Sequence, residues 1–194
     1  MLIRLALETR AHHAPADSDR LALLDAPTPA RYRTFLTSVY SFEARYEHAL
    51  IQTPNLEPRI VRACSRLKDL RSDLRGLGIT DAELAALPQP LVPSFRCEGQ
   101  ALGWAYAIER NTLLHGLLRR HLWRMLPGDI SKAGSYLAAL TSPGAHYREL
   151  GLDLDAAARR TIPSTIVDAA HAAFACQRLW FAQSRAAEAK RLAS

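Results

Sequence analysis

The chain has 194 residues, which suits one domain that buries its own core without disulfide or metal cross-links. Ala and Leu make up about a third of the residues and Val occurs four times, so the composition favours helix over strand in nearly every segment. We therefore expect an all-α protein in which residues 1–194 form a single domain.

The formal net charge of +6 favours anionic partners without choosing among nucleic acid, acidic protein and carboxylate ligands. Arg59, Arg62 and Arg66 share one predicted helical face, but the same segment holds Asp69 and Asp73 and no aromatic side chains that could stack on bases. We interpret this face as solvated. The sequence therefore predicts no nucleic-acid partner.

The spacing of the cysteines and the sequence of the N-terminus indicate the cellular compartment of the protein. Three widely spaced cysteines suit a reducing compartment and have no metal-ligand spacing. Arg4, Glu8 and Arg10 place charges too frequently for the core of a signal peptide, and no apolar run approaches the length that spans a bilayer. We expect a cytoplasmic protein without a membrane partner.

Proline divides the first part of the chain into helices. Residues 2–14 predict a first helix, which Pro15 should close or kink because proline cannot donate a backbone hydrogen bond. Thr28 followed by Pro29 predicts the start of a second helix, which runs to about Ile51. Its predicted buried stripe consists of Tyr32, Phe35, Leu36, Val39, Phe42 and Tyr46.

Two further helices are predicted before the centre of the chain. Apolar residues at helical spacing over 60–77 predict a third helix, ended by Gly76 and Gly78. Thr80, with Glu83 three residues later, predicts a capping box at the start of a short helix.

The second half of the chain begins with a proline-rich connector at residues 88–93. A long central helix is predicted to start near Glu98 and to end before Pro127. Residues 129–140 and 142–150 predict two weaker helices, because glycines interrupt the apolar pattern.

A last helix is predicted to open at Pro163, Ser164 and Thr165, with Asp168 as the capping-box partner of Thr165. The Ala-, Lys- and Arg-rich tail from Ser184 is predicted to fray.

Polar residues interrupt the central helix midway along its apolar surface. Glu109, Arg110 and Asn111 fall within the longest mainly apolar run of the chain, residues 101–123. A charge at such a position needs a partner or a function. Two interpretations remain open: Glu109 pairs with an arginine while its neighbours reach solvent, or this stretch lines a ligand pocket.

Four segments together resemble the heme oxygenase family, most closely the bacterial biliverdin-forming enzymes that often accompany phytochromes. The opening LALETRAHHAPAD is similar to the family's first helix, which carries Thr-Lys/Arg-x-x-His. ARYRTFLTSVYSFEARYEHAL, DLRGLG and AAHAAFACQRLW resemble its second helix, the end of its third helix and its last helix. The resemblance covers almost the whole chain and implies a heme-oxygenase-like helical bundle with heme as substrate and cofactor.

The resemblance assigns the proximal side of a heme site to the first helix. Thr9, Arg10 and His13 match the family's motif, so His13 is the implied iron ligand and Arg10 an implied heme contact. Asp17 matches the acidic position that would hold the second ring nitrogen of the ligand, and its replacement by Asn would then weaken the iron–imidazole bond. His12, one step round the helix, is expected to face away.

The distal side departs from the family, which has Glu-Gly-Ser-Thr-Leu-Gly-Gly where this chain reads ERNTLLH. The family's glycines let the helix backbone lie directly on the porphyrin. Here Arg110 is placed to reach a propionate, Leu114 and His115 would project toward the heme, and Asn111 takes the catalytic distal position. Gly116 lies one position too late to replace a family glycine unless the helix shifts locally.

His115 has two interpretations. As a second axial ligand it would leave no vacancy for oxygen, which suits electron transfer or sensing. Alternatively, it turns toward a neighbouring helix and forms a hydrogen bond there.

Two functions follow from the resemblance. The first is a heme oxygenase that forms biliverdin, carbon monoxide and iron with electrons from a reductase, and whose biliverdin acceptor is a phytochrome-type photoreceptor. The second is a relative of the same fold that binds heme or another ligand without turnover. A thiaminase-like enzyme is a third, weaker alternative, since no paired catalytic cysteine and glutamate supports it.

Overall fold

Helices form nearly the whole of this protein. The computed structural model describes residues 1–139 and 143–193, and none of these residues lies in a strand, which confirms the predicted all-α class. The helices are α1 (Leu2–Glu8), α2 (Arg10–Asp25), α3 (Pro29–Ile51), α4 (Pro58–Cys64), α5 (Leu67–Gly76), α6 (Asp81–Ala86), α7 (Glu98–Arg110), α8 (His115–Met125), α9 (Pro127–Lys132), α10 (Ser135–Ala138), α11 (Pro143–Ala158) and α12 (Pro163–Ala193).

The buried helix α7 lies at the centre of the bundle and packs along α12, with α11 as its next neighbour. Gly99 and Gly103 lie one helical turn apart on the side of α7 that meets α12. A Cβ atom added to Gly103 would lie 2.7 Å from the Cβ of Ala169, so only glycine allows the two helices to approach this closely. Close contact between these two helices forms the most extensive helix–helix interface of the described residues.

Two hydrophobic clusters form the core, and the first includes the interface between α7 and α12. The first contains Phe42, Tyr106 and Phe174, and the second contains Leu36 and Tyr136. The whole stripe predicted for the second helix is buried in these two clusters, which confirms that assignment. The predicted start of that helix is also confirmed, because the side chain of Thr28 accepts the backbone N–H of Arg31.

The first predicted helix is broken earlier than Pro15. The chain leaves helical geometry at Thr9, and α2 then runs through Pro15 to Asp25. The hydroxyl of Thr9 donates to the carbonyl of Leu5 at 2.7 Å, a local bond that competes with the helical ladder. Of the two expected effects of Pro15, closing the helix is wrong; the missing N–H of Pro15 costs α2 one hydrogen bond.

Helix boundaries also differ from the prediction farther along the chain. The third predicted helix is two helices, because Ser65 is extended between α4 and α5. The capping box of Thr80 and Glu83 is confirmed. Thr165 is not the cap of the last helix, since α12 already begins at Pro163.

The glycines predicted to interrupt the helices differ in outcome: Gly134 lies in the break between α9 and α10. Gly144 and Gly151 lie inside α11, and the tail from Ser184, expected to fray, is helical as far as Ala193. Residues 140–142, on which the two predicted weaker helices fall in part, lie outside the described residues. No helix in the described ranges combines the length and apolarity needed to cross a bilayer.

Substituting Gly103 tests the central packing. Gly103→Ala should lower the free energy of unfolding by more than 1 kcal/mol, since the added methyl group meets Ala169 and forces α7 away from α12. Gly116→Ala is the matched control, because an added Cβ meets nothing within 4 Å there and should stabilise the exposed helix by up to about 1 kcal/mol. Chemical denaturation of both variants measures the difference, and equal effects would contradict it.

Candidate functional site

His13 lies partly buried between α2 and α7. Its Nε2 is 3.0 Å from the hydroxyl of Thr9 and 3.5 Å from the hydroxyl of Tyr106, and its ring lies 5.8 Å from that of Phe174 on α12. Thr9 and His13 are four residues apart, so their side chains lie one helical turn from each other. We call Thr9, His13, Tyr106 and Phe174 the His13 cluster.

The His13 imidazole favours its neutral form. Burial lowers the pKa of His13, the positive charge of Arg110 lowers it further, and Asp17 partly opposes both effects. A neutral imidazole can ligate a metal, whereas a protonated one cannot. The charge state is therefore compatible with the ligand role that the resemblance implies.

Asp17 and Arg110 form an ion pair beside this cluster. The guanidinium donates from Nη1 to Oδ1 at 2.5 Å and from Nη2 to Oδ2 at 2.9 Å, so both oxygens of the carboxylate are engaged. Such a bidentate pair is among the stronger charge-assisted contacts in proteins. It connects α2 to the end of α7, and the partner of Asp17 is Arg110, although the sequence suggested His13 for that position.

His12 does not face away from the bundle. Its Nε2 lies 2.9 Å from Nδ1 of His171 on α12, and its ring stacks on Phe174 with the centroids 5.4 Å apart. Burial, followed by the charges of His171 and Arg178, lowers the pKa of His12. The expected orientation was wrong because α12 packs against both histidines of α2 through the ring of Phe174.

A second group of polar residues lies deeper in the bundle. Glu109 is 1% exposed and its Oε2 accepts from Nη2 of Arg66 at 2.9 Å and lies 2.7 Å from Nε2 of His146. Glu109 therefore pairs with an arginine, as one interpretation proposed, but without contact with solvent. Arg66 is only 7% exposed, which corrects its assignment to a solvated face.

The polar core continues toward α3 and α10. The hydroxyl of Tyr136 donates to Oε1 of Glu43 at 3.0 Å, and His115 lies against the ring of Tyr136 at 4.6 Å. Within the described residues neither ring nitrogen of His115 has a hydrogen-bond partner, nor has Nη1 of the buried Arg20. We call Arg20, Glu43, Arg66, Glu109, His115, Tyr136 and His146 the polar core.

The residues expected on the distal side point in different directions. Asn111 is buried and its amide donates to Gln177 on α12 at 3.3 Å. Leu114 packs on the second hydrophobic cluster, His115 lies in the polar core, and Arg10 is exposed. Of the residues assigned to a heme site, the structure brings together His13, Asp17 and Arg110.

A change of helix type explains this separation. Residues Asn111–Leu114 form a 3₁₀ helix, which turns about 120° per residue, whereas an α-helix turns about 100°. Four such residues rotate everything beyond them by about 80° relative to a continuous α-helix. Leu114, which would lie about 40° from Arg110 on a continuous α-helix, is therefore turned to about 120° from it, whereas His115 would lie about 140° from Arg110 even without the 3₁₀ segment.

Sequence reasoning missed Glu43, Tyr136, His146 and Gln177 as parts of the interior. Only Glu43 could have been identified from the sequence, because it is a charged residue next to Phe42 in the predicted buried stripe of the second helix. The other three lie on elements whose orientation depends on packing across the bundle.

No protein-family model matches the chain, and no curated protein matches it. In the part of the chain that the structure describes, no group of three or more His, Cys, Asp or Glu side chains is arranged to hold a metal ion.

Glu43 and His115 should change the free energy of unfolding in opposite directions as the pH falls. Burial raises the pKa of Glu43 from 4.5 to about 7, so the folded protein retains a proton there and gains stability as the pH falls from about 7 to 4.5. Burial lowers the pKa of His115 from 6.5 to about 3, so the unfolded chain binds that proton first and stability falls as the pH drops below about 6.5. Each effect is on the order of 2 kcal/mol between pH 7 and pH 5.

Single substitutions should separate these two opposing contributions. Glu43→Gln should lose stability relative to the unmodified protein when the pH falls from 7 to 5, whereas His115→Phe should gain it. The free energy of unfolding measured at both pH values for the three proteins tests this expectation. Parallel pH dependences would contradict it.

Proposed function

We propose that this chain is a heme-oxygenase-like protein that binds heme, with His13 as the ligand to the iron. The observation that carries the proposal is the His13 cluster itself: a partly buried imidazole with a lowered pKa, between aromatic rings and beside the guanidinium of Arg110. The four sequence segments that resemble the family supply the remaining support.

The donor set of this site fits heme. Nε2 of His13 lies near two hydroxyl groups. The Thr9 hydroxyl donates to the carbonyl of Leu5, so Nε2 donates to Thr9 here, and its proton would have to move to Nδ1 before Nε2 could bind iron. Arg110 already binds one carboxylate with both of its terminal nitrogens, so a heme propionate would present the same chemistry that Asp17 presents now. Admitting heme requires the Asp17–Arg110 pair to separate.

In the family that the sequence resembles, heme supplies both the substrate and the oxygen-activating iron. The residues of this chain would hold the porphyrin by its axial ligand and one carboxylate, and Phe174 and Tyr106 would exclude water from the His13 side. The position of His115 favours turnover over a bis-histidine site, because that side chain packs on Tyr136 in the polar core. Under this proposal a reductase supplies electrons and a phytochrome-type photoreceptor is the candidate acceptor of biliverdin.

A second candidate, heme binding without turnover, is favoured by one observation. The residues that replace the family's glycines carry side chains, and Arg110 extends across the space between α2 and α7 to Asp17. A distal helix that cannot lie on the porphyrin lacks the low ceiling that directs oxygen in the family. Both candidates share His13 as the ligand.

Hemin titration of the purified protein tests the shared part of the proposal. We expect a saturable Soret band at one heme per chain that is lost in His13→Ala and retained in His12→Ala. The ferric spectrum should be high-spin and unchanged in His115→Ala, since His115 lies in the polar core. Heme binding that survives His13→Ala, or a low-spin spectrum that becomes high-spin in His115→Ala, would contradict the assignment.

Adding ascorbate or a reductase system to the heme complex then separates the two candidates. Conversion of the Soret band to the absorption of biliverdin, with release of carbon monoxide, identifies an oxygenase. A complex that stays intact under the same conditions identifies a protein that binds heme without turnover.

Asp17→Asn tests whether the ion pair closes the site. The substitution keeps the shape of the side chain but removes its charge, so Arg110 is freed for a propionate, and heme should associate faster and at least as tightly. Asp19→Asn is the matched control, because Asp19 lies on the same helix and pairs with Arg185 instead. If Asp17 instead orients His13, Asp17→Asn should weaken heme binding by about 10- to 100-fold.

A further inference from the structure

The outward face of α8 combines exposed apolar side chains with arginines. Leu113, at the end of the 3₁₀ helix, is 49% exposed, Leu117 is 44% exposed and Trp123 is 49% exposed. We define the α8 face as Leu113, Leu117, Arg119, Arg120, Trp123 and Arg124. Gly116 lies on the same side and leaves open space above the backbone.

The charge on this surface has one sign. From Leu113 to Gly128 the chain contains three arginines, all of them on the α8 face, and no Asp or Glu. The guanidinium carbon of Arg119 lies 5.8 Å from the centroid of the Trp123 ring, so a positive charge and an aromatic side chain are in contact on the surface. A partner must therefore be anionic and must also accept apolar side chains.

We propose that the α8 face attaches this protein to an anionic lipid surface. Apolar and basic side chains are interspersed along this face: Arg119 and Arg120 follow Leu117, and Arg124 follows Trp123. Protein interfaces commonly separate an apolar centre from a polar rim. The boundary between lipid headgroups and acyl chains offers phosphate and hydrocarbon within a few ångströms, and it is where Trp and Arg side chains concentrate.

Attachment of this kind needs no membrane-spanning helix, so it is compatible with the lack of such a helix in the described residues. It departs from the expectation, drawn from the sequence, that the chain has no membrane partner. That expectation considered only the length of apolar runs, whereas a surface helix is recognised by which side chains share its exposed face.

Sedimentation with lipid vesicles tests the proposal. The protein should bind vesicles of equal parts phosphatidylglycerol and phosphatidylcholine at low salt, bind pure phosphatidylcholine vesicles much more weakly, and dissociate as salt is added. Changing Arg119, Arg120 and Arg124 together to Gln should lower the partition coefficient about 100-fold, at roughly fivefold for each arginine near the surface. Leu117→Gln or Trp123→Gln should lower it about tenfold.

Matched variants distinguish lipid binding through the α8 face from binding through the overall positive charge of the protein. Arg62, Arg96 and Arg159 are exposed arginines elsewhere on the molecule, and changing these three to Gln removes the same charge. Leu152, 71% exposed on α11, is the apolar control for Leu117. Both controls should retain most of the binding.

The fluorescence of Trp123 gives an independent readout, because Trp104 and Trp180 are buried. Its emission should shift to shorter wavelength on anionic vesicles and not in Trp123→Phe. The proposal is overturned by lack of binding to anionic vesicles, by equal binding to neutral ones, or by equal losses in the two arginine triples. A dimer in solution that Leu117→Gln dissociates would also overturn it, by assigning the α8 face to a second copy of the chain.

Discussion

The carboxylate of Glu109 is the constraint around which this bundle is arranged. A charge that is 1% exposed persists only if other groups replace the water it has lost. Arg66 from the start of α5 and His146 from α11 supply those contacts, so three segments far apart in sequence meet at one oxygen atom. Removing one partner of a buried pair of this kind costs about 3–5 kcal/mol, because the remaining charge is left without compensation.

The bundle separates two kinds of polar environment that the sequence places side by side. Arg110 turns toward Asp17 and the partly buried His13, whereas Glu109, the preceding residue, turns into the polar core. The first environment lies nearer the surface, so Arg110 can exchange Asp17 for solvent or a ligand more readily than Glu109 can exchange its partners. The second fixes the relative positions of α3, α7, α10 and α11, and its members have few alternatives once the helices have packed.

The helical class and much of the core were predictable because they depend on local periodicity. The stripe from Tyr32 to Tyr46 repeats at helical spacing, and Thr28 and Thr80 carry recognisable caps, so the structure confirms these elements. The breaks at Thr9 and Ser65 were not predictable in this way. Neither residue is a strong helix breaker, and each break is associated with a contact made by a nearby side chain.

The candidate site was predictable only as far as the helix remained regular. Asp17 joins Arg110 to the helix that carries His13, but the 3₁₀ helix at Asn111–Leu114 changes the direction of the residues that follow. A sequence read as one continuous helix cannot reveal such a rotation, because the residues themselves are compatible with both geometries. Arg66 illustrates the same limit: its spacing suggested a surface, while its burial depends on Glu109, 43 residues away.

The pairing of α7 with α12 also governs the order in which the protein can fold during its synthesis. The face of α7 that carries Gly99 and Gly103 is complete at Arg110, yet the helix that covers it begins only at Pro163. At translation rates of about 5–20 residues per second, an apolar surface of α7 stays uncovered for several seconds on the ribosome. Nascent chains of this protein therefore pass through a stage in which their most apolar helix is available to chaperones or to other chains, and stalling between α7 and α12 would prolong that exposure.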